Sequence, residues 1–305
     1  MPKSSASDVP LPSAADGAPP GRLSGDLREI VGDIWRSRDL LYQLALRDIR
    51  IRYKQAIMGF GWAIFMPLLI VSAGFLVRLA MATVSGGTLD RTGIAGIVVR
   101  SLPWAFFVGS IGFAVNSLTG NMNLVSKVSF PREVLPLAAI CAQTFDSLIG
   151  SAAVAIALPF LGVRLTTGLL WAPVLAALVF CFTVATGLFL SCANLFFRDV
   201  KYIVQVLLTF GIFFTPVLYE PAMLGPTGAR LVMLNPLAPL LEGIRLSVTL
   251  GHNLLEPLTE LSKHGQLVVA WEPWYLAYSA AWALGGLVAS AALFHRLEFV
   301  FAEYV

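Results

Sequence analysis

"RDIRIRYKQAIMGFGWAIFMP", residues 47–67, decides the fold: Arg47, Arg50, Arg52 and Lys54 fall within eight residues, and no further charge follows until Arg78. Cations packed against the start of a long apolar run mark a chain about to enter a bilayer, because Lys and Arg are retained on one face of the membrane. A hydrocarbon core of about 30 Å takes roughly 20 apolar residues as helix. Working outward from the collar, six stretches meet a 17-residue minimum, at about 60–84, 94–118, 134–161, 169–196, 203–219 and 273–294.

Composition agrees with that reading. The 305 residues are 57% hydrophobic and 13% charged, with a mean hydropathy of +0.77, outside the usage of soluble domains. The expected class is an all-α integral membrane protein. A net charge of +3 is too small to suggest a nucleic-acid partner. Cys141, Cys181 and Cys192 lie in apolar runs as small hydrophobes, and His252, His264 and His295 are scattered, so no disulfide framework or metal site is expected.

Three regions follow along the chain. Residues 1–25, rich in Ser, Ala, Pro and Gly without the apolar core of a signal peptide, read as a disordered cytoplasmic tail. Residues 26–54 read as amphipathic interface helices ending in the collar. Leu27, Ile30, Val31 and Ile34 fall on one stripe, Asp26 and Glu29 have capping-box spacing, and a second helix begins near Ser37. Residues 55–305 read as the membrane domain. Within it "LVMLNPLAPLLEGIRLSVTL", 231–250, is interrupted by Asn235-Pro236 and Pro239 and charged at Glu242 and Arg245, so it reads as a re-entrant or interfacial hairpin.

Orientation follows from the cations. Lys3, Arg22, Arg28, Arg36, Arg38, the four collar residues, Lys127, Arg132, Arg198, Lys201 and Arg296 fall on one side of the six spans. Only Arg91, Arg164, Arg230, Arg245 and Lys263 fall on the other, which predicts cytoplasmic termini. Asp146, Arg78 and Arg100 lie inside spans, where an ionisable group is a functional candidate; for Asp146 a helix–helix ion pair is favoured over proton coupling. Arg78 and Arg100 have the option of snorkelling to an interface. Glu242 and Arg245 are expected either to narrow the outer mouth or to face water.

The wording "LALRDIRIRYKQAIMGFGWAIFMPLL" resembles the start of the membrane subunit of polysaccharide-exporting ABC transporters, the family that exports O-antigen, capsular polysaccharide and teichoic acid. "NLVSKVSFPREVLPLAA" (123–139), "NLFFRDVKYIVQVLLTFGIFFTPVLY" (194–219), "LNPLAPLLEGIR" (234–245) and the C-terminal "HRLEFVFAEYV" agree in the same order. The resemblance covers all but the N-terminal tail. It implies a type-2 ABC exporter permease fold: an interface helix, six transmembrane helices, and a re-entrant helical pair within 220–250. It also implies a homodimer in a bacterial inner membrane, served by two copies of a separate ATP-binding subunit that hold ATP and Mg²⁺. Consistently, the chain has no G-x-x-x-x-G-K-[ST] loop; Gly17 with Gly21 and Gly162 with Gly168 lack the spacing and the lysine.

By that resemblance, "GNMNLVSKVSFPRE" at 120–133 is the coupling segment, with Met122, Val125, Lys127, Phe130 and Arg132 transmitting the ATPase stroke; the plain alternative is a turn obeying the positive-inside rule. Arg47, Arg50, Arg52, Lys54 and Arg198 are candidate contacts for a lipid phosphate, since a guanidinium binds two oxygens at once. A sugar path needs hydroxyl partners and flat apolar faces. Trp62 and Phe65 in the first span, and Tyr202, Gln205, Thr209, Phe210, Phe213 and Phe214 in the fifth, are its candidate lining, with packing or lipid contact as the alternative. Two other readings are export of a drug or small lipid and a membrane-embedded glycolipid enzyme. The enzyme requires a cluster of carboxylates or His that the sequence does not display: Glu220, Glu256, Glu260 and Glu272 are dispersed.

Overall fold

Backbone crossing hydrocarbon must satisfy its N–H and C=O groups within its own segment, so long apolar runs become helices. The computed structural model describes residues 23–54, 61–85, 91–127, 130–164, 166–261 and 266–304. Most of the tail expected over 1–25, and residues 55–60 of the collar-to-span junction, lie outside the described residues. In chain order the helices are α1 (Leu23–Arg36), α2 (Arg38–Lys54), α3 (Gly61–Ser85), α4 (Arg91–Ser117), α5 (Met122–Lys127) and α6 (Val134–Ala157). They continue with α7 (Trp171–Phe196), α8 (Val200–Phe214), α9 (Gly225–Met233), α10 (Leu237–Arg245) and α11 (Pro273–Tyr304). Helix α1 begins three residues before Asp26, which therefore sits in the first turn rather than at the cap.

Among the described residues four stretches, Thr92–Ser117, Val134–Leu161, Thr167–Phe196 and Pro273–Glu298, are long and apolar enough to cross a membrane. Helix α3 has 25 residues. Helix α8 has 15, about 22 Å, short of a 30 Å core. It was expected over 203–219 but stops at Phe214, because Pro216 pushes Thr215 to extended backbone, φ −121° and ψ 136°.

Helices α4 and α7 form the buried centre. Helix α11 packs along α7, α6 packs on α4, α3 lies against α4 and α6, and α2 lies along α6. Small residues let these helices approach closely: a Cβ at Gly187 of α7 would sit 2.9 Å from the Ile140 side chain of α6. Gly168 is tighter still. A Cβ there would meet the backbone oxygen of Ser247 at 2.6 Å, so only glycine lets the turn before α7 pass the π-helical turn Leu246–Leu250.

The region expected to be re-entrant holds α9 and α10, and every residue of α10 is buried. Asn235 joins them to α8: its amide donates to Thr215 Oγ1 at 2.9 Å, and its side-chain oxygen accepts the Leu237 N–H at 3.1 Å. A two-stranded antiparallel hairpin, β1 (Leu258–Leu261) with β2 (Leu267–Trp271), then covers this corner. It was not expected, although "LVVAW" carries β-branched residues in the short run a strand requires.

Arg100, Glu242 and Arg245 overturn the snorkelling and water-facing expectations. Arg100 and Glu242 are fully buried and Arg245 is nearly so. Arg100 Nη1 donates to Glu242 Oε2 at 2.9 Å, while Arg245 Nε and Nη2 donate to Oε1 at 2.9 and 2.5 Å. Arg245 also reaches Glu260 of β1 at 3.2 Å. Gly96 makes room for it, since a Cβ there would lie 3.1 Å from Arg245 Cδ. One carboxylate thus fastens α10 to α4 and, through Arg245, to the hairpin. Glu242→Ala would leave two buried guanidiniums without their shared anion and should lower stability by about 3–5 kcal/mol. Glu260→Ala, at the rim, should cost about 1 kcal/mol or less. Thermal unfolding of the two variants in detergent checks this order.

Candidate functional site

Tyr202, Gln205 and Thr209 are spaced three and four residues apart, on one face of α8. They line a cleft of about 440 Å³ whose opposite wall is Val108, Gly112, Val115 and Asn116 of α4. Among the described residues Lys201 is the one charged side chain lining it, with its ammonium 4.9 Å from the Tyr202 ring centre. Val204 is the single buried residue of α8; the rest of the helix is open or half-open. Phe214 lines a separate cleft of about 250 Å³ with Trp104 and Phe182. Phe210 and Phe213 are exposed and line neither cleft. Trp62 and Phe65 meet edge to face on α3, centroids 5.4 Å apart, away from both.

A further cleft of about 340 Å³ opens between α2, α4 and α6. Arg47, Asp48, Ile51 and Arg52 form one side, and Phe113, Asn116, Leu135 and Ala138 are among the residues of the other. Asn116 lines both this cleft and the one beneath α8, so the two are neighbours on either side of that residue. Sequence reasoning passed over Asn116. An amide one turn from the end of an apolar run, in "FAVNSLTGN", was the available signal.

The collar does not lie flat at the bundle's end. Arg52 forms an ion pair with Asp146 and donates to Gln143 at 3.0 Å, its guanidinium 4.3 Å above the Phe113 ring. The Tyr53 hydroxyl donates to the other Asp146 oxygen. Asp146 lies twelve residues past the start of α6, about 18 Å at 1.5 Å per residue. Helix α2 therefore climbs beside α6, and the cation it brings to that depth is met by a carboxylate. This is the helix–helix ion pair favoured for Asp146. Arg47 is held by Asp48 at 2.9 Å and by Asn121 at 3.2 Å. Arg50, Lys54 and Arg198 are exposed, Arg198 in the turn between α7 and α8.

Segment 120–133 is rooted in the bundle by its apolar residues. Val125 is buried, and Met122 and Phe130 pack against the same core, so these three face inward, while Gly120 and Asn123 are exposed. The Lys127 side chain lies outside the described residues. The Arg132 backbone N–H donates to Glu298 Oε1 at 3.0 Å, and its guanidinium donates to the Glu298 main-chain oxygen at 2.6 Å. Beside them Glu133 is buried, with His295 Nδ1 at 3.7 Å from its Oε1. Burial, and next the Glu298 carboxylate, push the Glu133 acid up to about 7. A cleft of about 430 Å³ bounded by α1 opens onto this corner.

The sequence profile of the ABC-2 type transporter family matches residues 39–248, from the start of α2 to the π-helical turn after α10. The chain belongs to the ABC-2 type transporter family. It is similar to the O-antigen export system permease protein RfbA of Myxococcus xanthus, 29% identical over 241 residues that cover 76% of this chain and 89% of that protein. It is also similar to the protein of the same name from Klebsiella pneumoniae, 26% identical over 266 residues covering 87% and 94%. Membership makes the chain a membrane transport subunit rather than an enzyme. Both clefts fall within the matched range, as do the buried Arg100–Glu242–Arg245 cluster and the Arg52–Asp146 pair. The corner formed by α11 lies partly beyond it.

Asp146→Asn or Arg52→Met alone leaves one ion without its partner and should cost about 3 kcal/mol or more. The double variant Arg52→Met/Asp146→Leu removes both charges and should return to within about 1 kcal/mol of the parent. Unfolding of the three variants in detergent reads the coupling directly.

Proposed function

We propose that this chain is the membrane subunit of an ATP-driven exporter that moves a lipid-linked polysaccharide from the cytoplasmic side of a bacterial inner membrane. The observation that carries the reading is the pair of neighbouring clefts that share Asn116 in their walls, one lined by Arg47 and Arg52 and the other by Gln205 and Thr209. Such a route presents cations where a phosphorylated lipid would arrive and amides, a hydroxyl and an aromatic face where sugars would pass. Hydroxyls exchange one hydrogen-bond partner for another at little net cost, and the Tyr202 ring offers a flat apolar surface. The names of the related permeases support the polysaccharide over a drug or small lipid.

In this reading the chain crosses the membrane six times, with α3 and α8 as the first and fifth spans, both termini cytoplasmic and α9–α10 re-entering from the outer side. It works as a homodimer, the exposed faces of α3 and α8 turned to the path and to the second copy. Two copies of an ATP-binding subunit dock on the cytoplasmic side against segment 120–133. Because Met122, Val125 and Phe130 anchor that segment inwardly, the partner would press on the exposed Gly120 and Asn123, and the anchors would pass the displacement to α4 and α6. Arg50, Lys54 and Arg198 are the exposed cations for a lipid phosphate; Arg47 and Arg52 act through their existing pairs.

Depletion of the protein in its native host should lower surface polysaccharide while lipid-linked chains accumulate inside. No change in either pool would favour small-lipid export. With the fold preserved, Asn116→Leu and Gln205→Leu should each slow appearance of surface polysaccharide by roughly fivefold, the equivalent of about 1 kcal/mol for one lost polar contact. Pulse labelling of the surface glycan measures it.

A further inference from the structure

Glu133, His295 and Glu298 converge at the corner between the start of α6 and the end of α11. One ligand atom from each lies within 4.8 Å of the other two. His295 and Glu298 are three residues apart on α11, so one helix face presents both, and Glu133 approaches from the residue before α6. Glu133 is 3% exposed, yet neither of its carboxylate oxygens has a hydrogen-bond partner. A buried acceptor left unsatisfied costs about 1–3 kcal/mol, more when charged. The His295 Nδ1, 3.7 Å from Glu133 Oε1, is too far to hydrogen-bond, so the imidazole leaves both Glu133 oxygens unsatisfied.

We propose that Glu133, His295 and Glu298 form a binding site for a divalent transition-metal ion, with Zn²⁺ the natural occupant. Two carboxylates and one divalent ion sum to zero charge while His295 stays neutral. A mixed imidazole and carboxylate set suits zinc, whereas Mg²⁺ and Ca²⁺ prefer oxygen alone. Zinc bonds of about 2.0–2.2 Å place neighbouring ligand atoms about 3.3 Å apart. The 3.7 Å between His295 Nδ1 and Glu133 Oε1 is close to that spacing. The Arg132 N–H on Glu298 Oε1, at 3.0 Å, acts as the outer partner that holds a ligating carboxylate in place. The adjoining cleft of about 430 Å³, with Asp33 and Arg36 on its wall, admits the ion and a water for the fourth position.

A bound ion ties the start of α6, three residues after Phe130, to the end of α11 and so clasps the corner behind segment 120–133. That regulatory consequence rests on the coupling role proposed for the segment. The binding site does not depend on it, and its test involves no transport.

The full chain, purified in detergent with a tag free of histidine and stripped with chelator, is titrated with Zn²⁺ alone. About one zinc per chain retained after desalting is the expected result, with Co²⁺ substitution giving a visible d–d band and Zn²⁺ raising the melting temperature. Glu133→Gln, His295→Gln and Glu298→Gln should each weaken binding at least about tenfold, since even outer-shell losses cost 10–100-fold; His252→Gln should bind as the parent does. Retention of less than a tenth of an equivalent by the parent chain overturns the proposal, with no variant required. Parent-like binding by His295→Gln overturns it equally.

Discussion

The Glu242 carboxylate, fully buried between Arg100 and Arg245, is the interaction on which the far half of the molecule depends. Helix α10 is nine residues long, too short to be stable alone. It persists because it is enclosed, and because its one acid is claimed from two directions. Arg100 fixes it to the central helix α4, and Arg245 carries the tie to Glu260 on the hairpin. Replacing Glu242 strands two guanidiniums that are closed off from solvent. The cluster therefore enforces one packing of α9, α10 and the hairpin against the bundle, whatever its net contribution to stability.

The same constraint explains which parts of the fold were legible from the sequence. Apolar length announced α3, α4, α6 and α7 within a few residues and the start of α11, because a helix in hydrocarbon has no competing way to satisfy its backbone; α11 runs on to Tyr304, ten residues past the expected span. The end of α8 at Thr215 was written in Pro216, but the apolar count ran past it. The hairpin was obscured by its surroundings: Leu267–Trp271 is short, and such a run does not distinguish strand from buried helix. The partners of Arg100 and Asp146 were beyond reach for a different reason. Hydropathy flags a buried ion at its own position, while its counter-ion is chosen by packing between helices remote in sequence. Glu133, His295 and Glu298 show this most plainly, since His295 reads as isolated until α6 and α11 are brought together.

Helix α8 is legible in the opposite sense. Its sequence marked an aromatic and polar face, and three of those residues, Tyr202, Gln205 and Thr209, do share one cleft. The other aromatics, Phe210, Phe213 and Phe214, point elsewhere because a helix carrying apolar residues all round has no unique face to select. A 15-residue helix with one buried side chain contributes little to the core of its own chain. Its open surfaces are satisfied by lipid and, in the proposed assembly, by the second copy and the passing glycan.

The distribution of charge along the proposed path follows from these pairings. Arg52 is neutralised by Asp146 at mid-depth, and Arg100 and Arg245 by Glu242 and Glu260 farther on. What remains facing the cleft beneath α8 is Asn116, Gln205, Thr209 and the Tyr202 ring, with Lys201 alone charged. An ion pair formed on the path would hold a phosphate or uronate strongly and slow its release, whereas amides and hydroxyls offer sugars many nearly equivalent contacts. In the proposed transport, the exposed cations Arg50, Lys54 and Arg198 would capture a charged headgroup without obstructing the chain that follows. Internal ion pairing holds the helices together and, in the proposed transport, would keep the route between them weakly polar enough for a long polymer to move.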